Sequence, residues 1–285
     1  MLMMNKFFSV ISTAALALVL TACNNNETPT KDTSIESSST LENVYNQAIA
    51  RQEDIKSIRA TIDLSQDMTY GVDDLLHMNF DSQMTIDMMT TPLAMHLSGK
   101  MSMPNLFRDE TENSSMPIEM YMKENQGFYM KDPTSERWLS IPIEQFDSKL
   151  EQTVSSPNAK EQLEQLKPYI HDFTFTQTED TYVLTLQAKG DQYEKLIQST
   201  LNKSVPTPNN SLTDLTIEQA NYTIVLNKKT FDTTKLDMHY ILLMDMDGQT
   251  SKISSKSVVT YTDINHLDTI DIPQTIIDQA TTIDN

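Results

Sequence analysis

The sequence predicts an α+β fold: a long antiparallel sheet that curls, with helices on its concave side. Three observations predict it. A short stretch of helical spacing from Leu41 gives way near Ile58 to apolar residues at every second position. That two-residue period recurs in segment after segment towards the end of the chain. A block of helical spacing interrupts the strand pattern near the middle, and another short one follows it. Strands and helices gathered in separate runs point to segregated elements rather than alternating βαβ units. A sheet of so many strands bends, and helices then fill or cap the hollow side.

The elements follow in order. Thr40 is placed to cap a helix in which Leu41, Val44, Tyr45, Ala48 and Ile49 keep one face, running to Lys56. Ile58, Ala60, Ile62 and Leu64 alternate with polar residues, as a half-buried strand does. Met78, Phe80, Met84, Ile86 and Met88 continue the alternation, and Leu93, Met95 and Leu97 form the next strand. A turn is expected before Met101 and Met103. Ile118, Met120 and Met122 lead to a turn at residues 124–127, the strand returns over 128–131, and 138–141 is a short further strand. One apolar and one wet face mark these as antiparallel hairpins.

Residues 142–154 and then a segment starting at Ser156-Pro157 read as two helices, the second turning Leu163, Leu166 and Ile170 inward. Strands resume at 173–175 and 182–186 around a turn at 178–180. A third helix is expected over 191–201, with Tyr193, Leu196 and Ile197 inward, followed by a loop over 202–214. The last strands fall at 220–227, 235–245 and 251–263, and the tail at 273–277 is expected against the sheet edge. Asp245-Met246-Asp247-Gly248 resembles the start of a calcium loop. Its twelfth position is Lys256 where a Glu is needed, so Asp247-Gly248 is better explained as a hairpin turn.

The first residues have a different character. Lys6 precedes an apolar run from Phe7 to Leu20, then Thr21, Ala22 and Cys23, the only cysteine. A basic start, a short apolar core and small residues describe a secretory signal, and the run is short for a spanning helix. Leu20-Thr21-Ala22-Cys23 has the form of a lipobox, in which the cysteine thiolate takes a diacylglyceryl group before cleavage on its N-terminal side. Residues 1–22 are therefore expected to be a signal peptide, 23–40 a lipidated cysteine and flexible tether, and 41–285 one domain. The tether is polar and of low complexity, with a reach of about 20–25 Å. The expected location is the extracytoplasmic face of the cell membrane, held by acyl chains. With Cys23 acylated, no disulfide can brace the domain.

Composition narrows the function. The formal charge is −19, and removing residues 1–22 takes away Lys6 and no acid, so what remains is more negative still. Such a surface repels nucleic acid, and no Lys/Arg cluster tracks a phosphate backbone. The five glycines, at 71, 99, 127, 190 and 248, are too far apart for a dinucleotide loop, a Walker loop or a nucleophile elbow. No His pair has the spacing of a helical zinc site, and His77, His171 and His266 stand in polar contexts. The chain is expected to be no enzyme and to need no cofactor or metal.

Methionine is the distinctive residue, with 18 copies. Met84, Met88, Met95, Met101, Met103, Met120, Met122, Met238 and Met244 fall on apolar strand faces. Methionine is flexible and polarizable, which suits a wall that adapts to varied apolar ligands. The same pattern also describes a plain sheet core. Met-x-Met pairs beside His96 or His239 raise soft Cu(I) as a ligand. In a strand, however, those histidines lie on the face opposite Met95 and Met238. Trp138 and Tyr129 could line a cavity rim or belong to the core.

Several segments together carry a resemblance. These are residues 92–96 (PLAMH), 118–122 (IEMYM), 129–132 (YMKD) with Trp138 beyond, 182–186 (YVLTL) and 227–231 (NKKTF) before Lys235-Leu236. Over most of residues 41–275 the chain resembles a family of Gram-positive lipoproteins related in architecture to the LolA/LolB and LppX-type lipid-binding folds. The resemblance implies a half-barrel of antiparallel strands with helices in its mouth, around an apolar cavity that in the LolA and LppX groups takes acyl chains. It implies no catalytic residues. Two functions fit: a membrane-anchored lipoprotein that binds or carries a lipid-like ligand, or a non-enzymatic envelope interaction module with a packed core. A hollow apolar interior favours the first, a filled one the second. The sequence names neither a protein partner nor an oligomeric state.

Overall fold

The computed structural model describes residues 30–31, 39–70, 76–103, 114–141, 159–189, 193, 196, 215–246 and 249–283. The expected helix over 142–154, most of that over 191–201, the loop over 202–214, residues 247–248 and Cys23 lie outside them.

The chain builds one long curved antiparallel sheet, a half-barrel. Strands β2 (Ser57–Tyr70), β3 (Leu76–Thr90), β4 (Leu93–Met103), β5 (Ser114–Lys123), β6 (Gly127–Lys131) and β7 (Trp138–Ile141) form a meander. Strands β8 (Phe173–Gln177), β9 (Thr181–Ala188), β10 (Leu215–Asn227), β11 (Thr233–Met246) and β12 (Gln249–Thr262) form a second. The halves join where β12 pairs with β2, twelve residues against twelve from Ser251↔Tyr70 to Thr262↔Arg59. Two-residue strands close both edges in parallel: β1 (Thr30–Lys31) on β8 and β13 (Thr281–Thr282) on β7. An uncovered edge exposes unpaired backbone groups, which explains why a segment expected to be tether contributes β1.

Helix α1 (Leu41–Glu53) starts where the sequence places it, with Thr40 Oγ1 accepting the Asn43 N–H at 3.3 Å. It ends three residues earlier than expected, at a cap on Asp54. Leu41, Val44, Tyr45 and Ala48 form its buried stripe. They pack on one face of the sheet with Leu163 and Leu166 of helix α2 (Ala159–Leu166) and with Ile170 of the 3-10 turn Lys167–Asp172 that follows. Burying each large side chain of this set contributes about 1.5–3 kcal/mol. The Tyr45 hydroxyl donates to the Leu163 carbonyl at 2.6 Å, tying the two helices. Beneath them lie Ile58, Ala60, Met88, Phe173, Phe175, Leu184, Leu186, Ile224, Leu236 and Val259. Helices α1 and α2 thus sit on the concave side, as expected.

A correction concerns β4. The turn expected before Met101 does not form, and the strand runs unbroken through Gly99-Lys100 with Gly99 opposite Met84. A Cβ at Gly99 would lie 2.8 Å from the Met84 Cα and closer still to the Gln83 carbonyl oxygen. The glycine serves a close approach of two backbones rather than a turn. Helix α3 (Gln274–Gln279) and the segment before it lie across the opposite face of the sheet, where Ile272 and Ile276 cluster with Tyr129, Tyr121 and Trp138.

Candidate functional site

The methionines assemble through cross-strand register. Met88 stands opposite Met95, and Met95 opposite Met122, which faces Phe128. Next to this row Leu97 faces Met120, and Met120 faces Met130. Farther along, Ser82 faces Met101 and Met101 faces Met116, while Met84 pairs with Gly99. On the other meander Met238 pairs with Ser257 and Met244 with Ser251. Met103 pairs with Ser114 at the end of β4.

Burial divides the set. Met88, Met95 and Met122 are 5%, 6% and 2% exposed. Met84, Met101, Met120, Met238 and Met244 are half-buried, as are Ile62, Leu64, Met68, Phe80, Met116, Ile118 and Met130 around them. The apolar face is therefore closed where Met88 underlies α1 and where Met95 and Met122 pack among their strand neighbours, and it opens along the strands away from them. Among the described residues, the cluster around Ile86, Met95, Leu97, Met122 and Phe128 contains strand residues and no helix.

The other face is polar, as alternation requires. His96 lies opposite Asp87 on one side and Tyr121 on the other, so it faces away from Met95, and His239 likewise faces away from Met238. Tyr129 and Trp138 belong to this second face and pack under α3, so they form no rim of the methionine wall. The reason is again the period of two: Phe128 and Met130 take the methionine face, leaving Tyr129 to the other.

Arg59, Asp87, His96 and Tyr121 form one continuous cross-strand row on β2 to β5. Residues 263–271 cross over it and enclose a cleft of about 410 Å³. Arg59 holds Asp87 through two hydrogen bonds at 2.6 and 2.8 Å and reaches Asp263 at 3.0 Å. Its guanidinium is held more basic than usual, first by the hydrogen bonds to Asp87 and then by that charge. The His96 ring stacks on Tyr121 at 4.1 Å and 14°, and its buried Nε2 lies 3.9 Å from a Glu119 oxygen without a hydrogen bond. Burial, and then the charge of Glu119, raise the Tyr121 phenol. Lys123 pairs with Asp271 and holds that carboxyl below the usual range. Sequence reasoning gave no sign of this cleft, because its floor and roof lie 140 residues or more apart in the chain. His266, which the sequence shows only in a polar context, lines it.

Among the described residues no group of three or more His, Cys, Asp or Glu is arranged to hold a metal. None of their helices is long and apolar enough to cross a membrane.

A family model described as "Family of unknown function (DUF6612)" matches residues 40–281. No curated protein matches the sequence. Among solved structures, the chain is similar to a DUF1329 family protein from Desulfovibrio piger at 8% identity, covering 78% of this chain and 91% of that one with a TM-score of 0.21. It is similar to a LolA superfamily protein from Nitrosomonas europaea at 10% identity, covering 84% and 97% with a TM-score of 0.20. It is similar also to a β-barrel-like protein of family DUF1849 from Brucella abortus at 13% identity, covering 73% and 99% with a TM-score of 0.21.

Proposed function

We propose that this chain, which belongs to the DUF6612 family, holds an apolar, lipid-like ligand against the open half of its methionine-rich sheet face. In this proposal it is anchored on the extracytoplasmic side of the cell membrane through a diacylglyceryl group on Cys23. One observation carries the ligand: the fall in burial along a single apolar face, from Met88, Met95 and Met122 to the half-buried Met84, Met101 and Met120. Half-buried methionines side by side make an adaptable apolar surface in contact with solvent, which an acyl chain would cover. The anchor rests on the sequence of residues 6–23. Two acyl chains hold a protein stably at a membrane, where such a ligand is at hand.

The second reading is an envelope interaction module without ligand. The closed half of the same face, with Met95 and Met122 in the core, favours it.

Native mass spectrometry of the full chain, released from detergent, separates the two. The expected result is a reproducible lipid mass beyond the covalent acyl group, lost on denaturation. Met120→Glu should remove that mass while leaving a cooperative thermal transition, and Met95→Glu should unfold the domain. A clean protein mass that stays clean after incubation with lipid extract overturns the ligand reading. Cys23→Ser should release the chain from the membrane fraction.

A further inference from the structure

The open half of the methionine face holds one polar group that packing does not explain. Ser82 is 8% exposed, and its hydroxyl has no hydrogen-bond partner. In the ladder it stands between Leu64 on β2 and Met101 on β4. Its neighbours at i−2 and i+2, on the same face, are Phe80 and Met84. A hydroxyl among apolar side chains loses its water on folding and here gains nothing in return, whereas alanine would have avoided the loss.

One more polar group lies beside it. Gln66, diagonal to Ser82 across the β2–β3 ladder, gives one amide hydrogen to Ser255 Oγ at 3.2 Å. A primary amide carries two hydrogens, so one is left over. Ser82 and Gln66 thus place two unused donors at diagonal positions on the methionine face, with Ser255 and Ser257 of β12 as the polar residues opposite Gln66 and Leu64.

We infer that Ser82 is the polar contact of the proposed site, and that the ligand is an acyl lipid with a carbonyl oxygen at its polar–apolar junction, an ester or an amide. This rests on the lipid-binding reading above and narrows it. The Ser82 O–H donates to the carbonyl, and the free Gln66 N–H stands next to it for a second acceptor. The acyl chain then runs over Met101, Met84 and Met120. Met84 and Met101 flank Ser82, are half-buried, and have unbranched side chains that swing aside without disturbing the sheet. A hydrocarbon or an ether-linked lipid offers no carbonyl here and leaves the hydroxyl as it is in the free protein.

The test compares an ester-linked diacyl lipid with its ether-linked counterpart, each carrying the same photoactivatable group and present in trace amount in phosphatidylcholine vesicles. The full chain is incubated with each, crosslinked, and the yield on peptides from residues 76–103 is measured. The wild-type chain is expected to favour the ester by about 5-fold, within what one net hydrogen bond supplies. Ser82→Ala should abolish that preference while the ether yield stays unchanged. Its melting temperature should not fall, because no native hydrogen bond is removed. Equal yields from the two lipids in the wild type, or a preference that survives Ser82→Ala, overturn this inference and leave the lipid-binding reading standing. Absence of crosslinking by both lipids in the folded wild type overturns that reading as well.

Discussion

Gly99→Ala tests the close approach of β3 and β4 on the methionine face. The added Cβ would meet the Met84 Cα at 2.8 Å and the Gln83 carbonyl oxygen at a still shorter distance. Both are backbone atoms in a paired ladder, so neither rotates away and one strand must move. Overpacking a tight site costs about 1–3 kcal/mol, and a backbone obstacle belongs at the upper end, about 3 kcal/mol. For a domain of this size each kcal/mol lowers the melting temperature by roughly 2–4 °C, so a drop of about 6–12 °C is expected. Thermal denaturation of the full chain, followed by far-ultraviolet circular dichroism, reads it directly. Ser98→Ala is the control: the neighbouring residue is half-buried on the polar face, and its loss should cost no more than about 0.5 kcal/mol. A Gly99→Ala protein melting within about 1 °C of wild type would refute the reasoning. It would show that the strands tolerate a side chain there.

Two buried tyrosines should behave oppositely. Tyr45→Phe removes the hydrogen bond to the Leu163 carbonyl and should cost about 1 kcal/mol in chemical denaturation. Tyr261→Phe removes a buried hydroxyl that has no partner, and should leave stability equal or higher. Burial raises both phenols above their ordinary value of 10.0. The unfolded chain therefore releases these protons first as pH rises, so stability is full below about pH 10 and falls above it. In a pH series of denaturation curves, Tyr261→Phe should reduce that alkaline slope by about 1.4 kcal/mol per pH unit. Arg59→Ala releases residues 263–271 from the polar face at one point. Since Arg59 is 41% exposed, the cost should be about 1 kcal/mol and should shrink with added salt.

Much of this protein was legible in local pattern. The helix after Thr40, the alternation through β2 to β5 and the late strands β10 to β12 all lie where hydrophobic period placed them, because that period is a property of consecutive residues. The same alternation put His96 and His239 on the face opposite the methionines before any fold was known. Gly99 misled, since a glycine that opens a turn and one that admits a neighbouring backbone look alike in sequence. Trp138 and Tyr129 were not assignable, because which face receives the end of the chain is decided by where that chain lands.

By itself the sequence determined a strand-rich chain with one apolar and one polar face, a methionine-rich apolar stripe, and residues 6–23 of lipobox form. Only the tertiary structure decided which methionines are core and which are open. Met88 is buried in the core that α1 and α2 cover, whereas Met95 and Met122 are buried in a second cluster of residues from several strands, and both arrangements join segments distant in the chain. The tertiary structure alone brought Arg59, Asp87, His96 and Tyr121 beneath residues 263–271, and it alone left Ser82 without a partner. Alternation fixes the direction of a side chain; what covers it is fixed by distant segments whose mutual positions no short window of sequence contains.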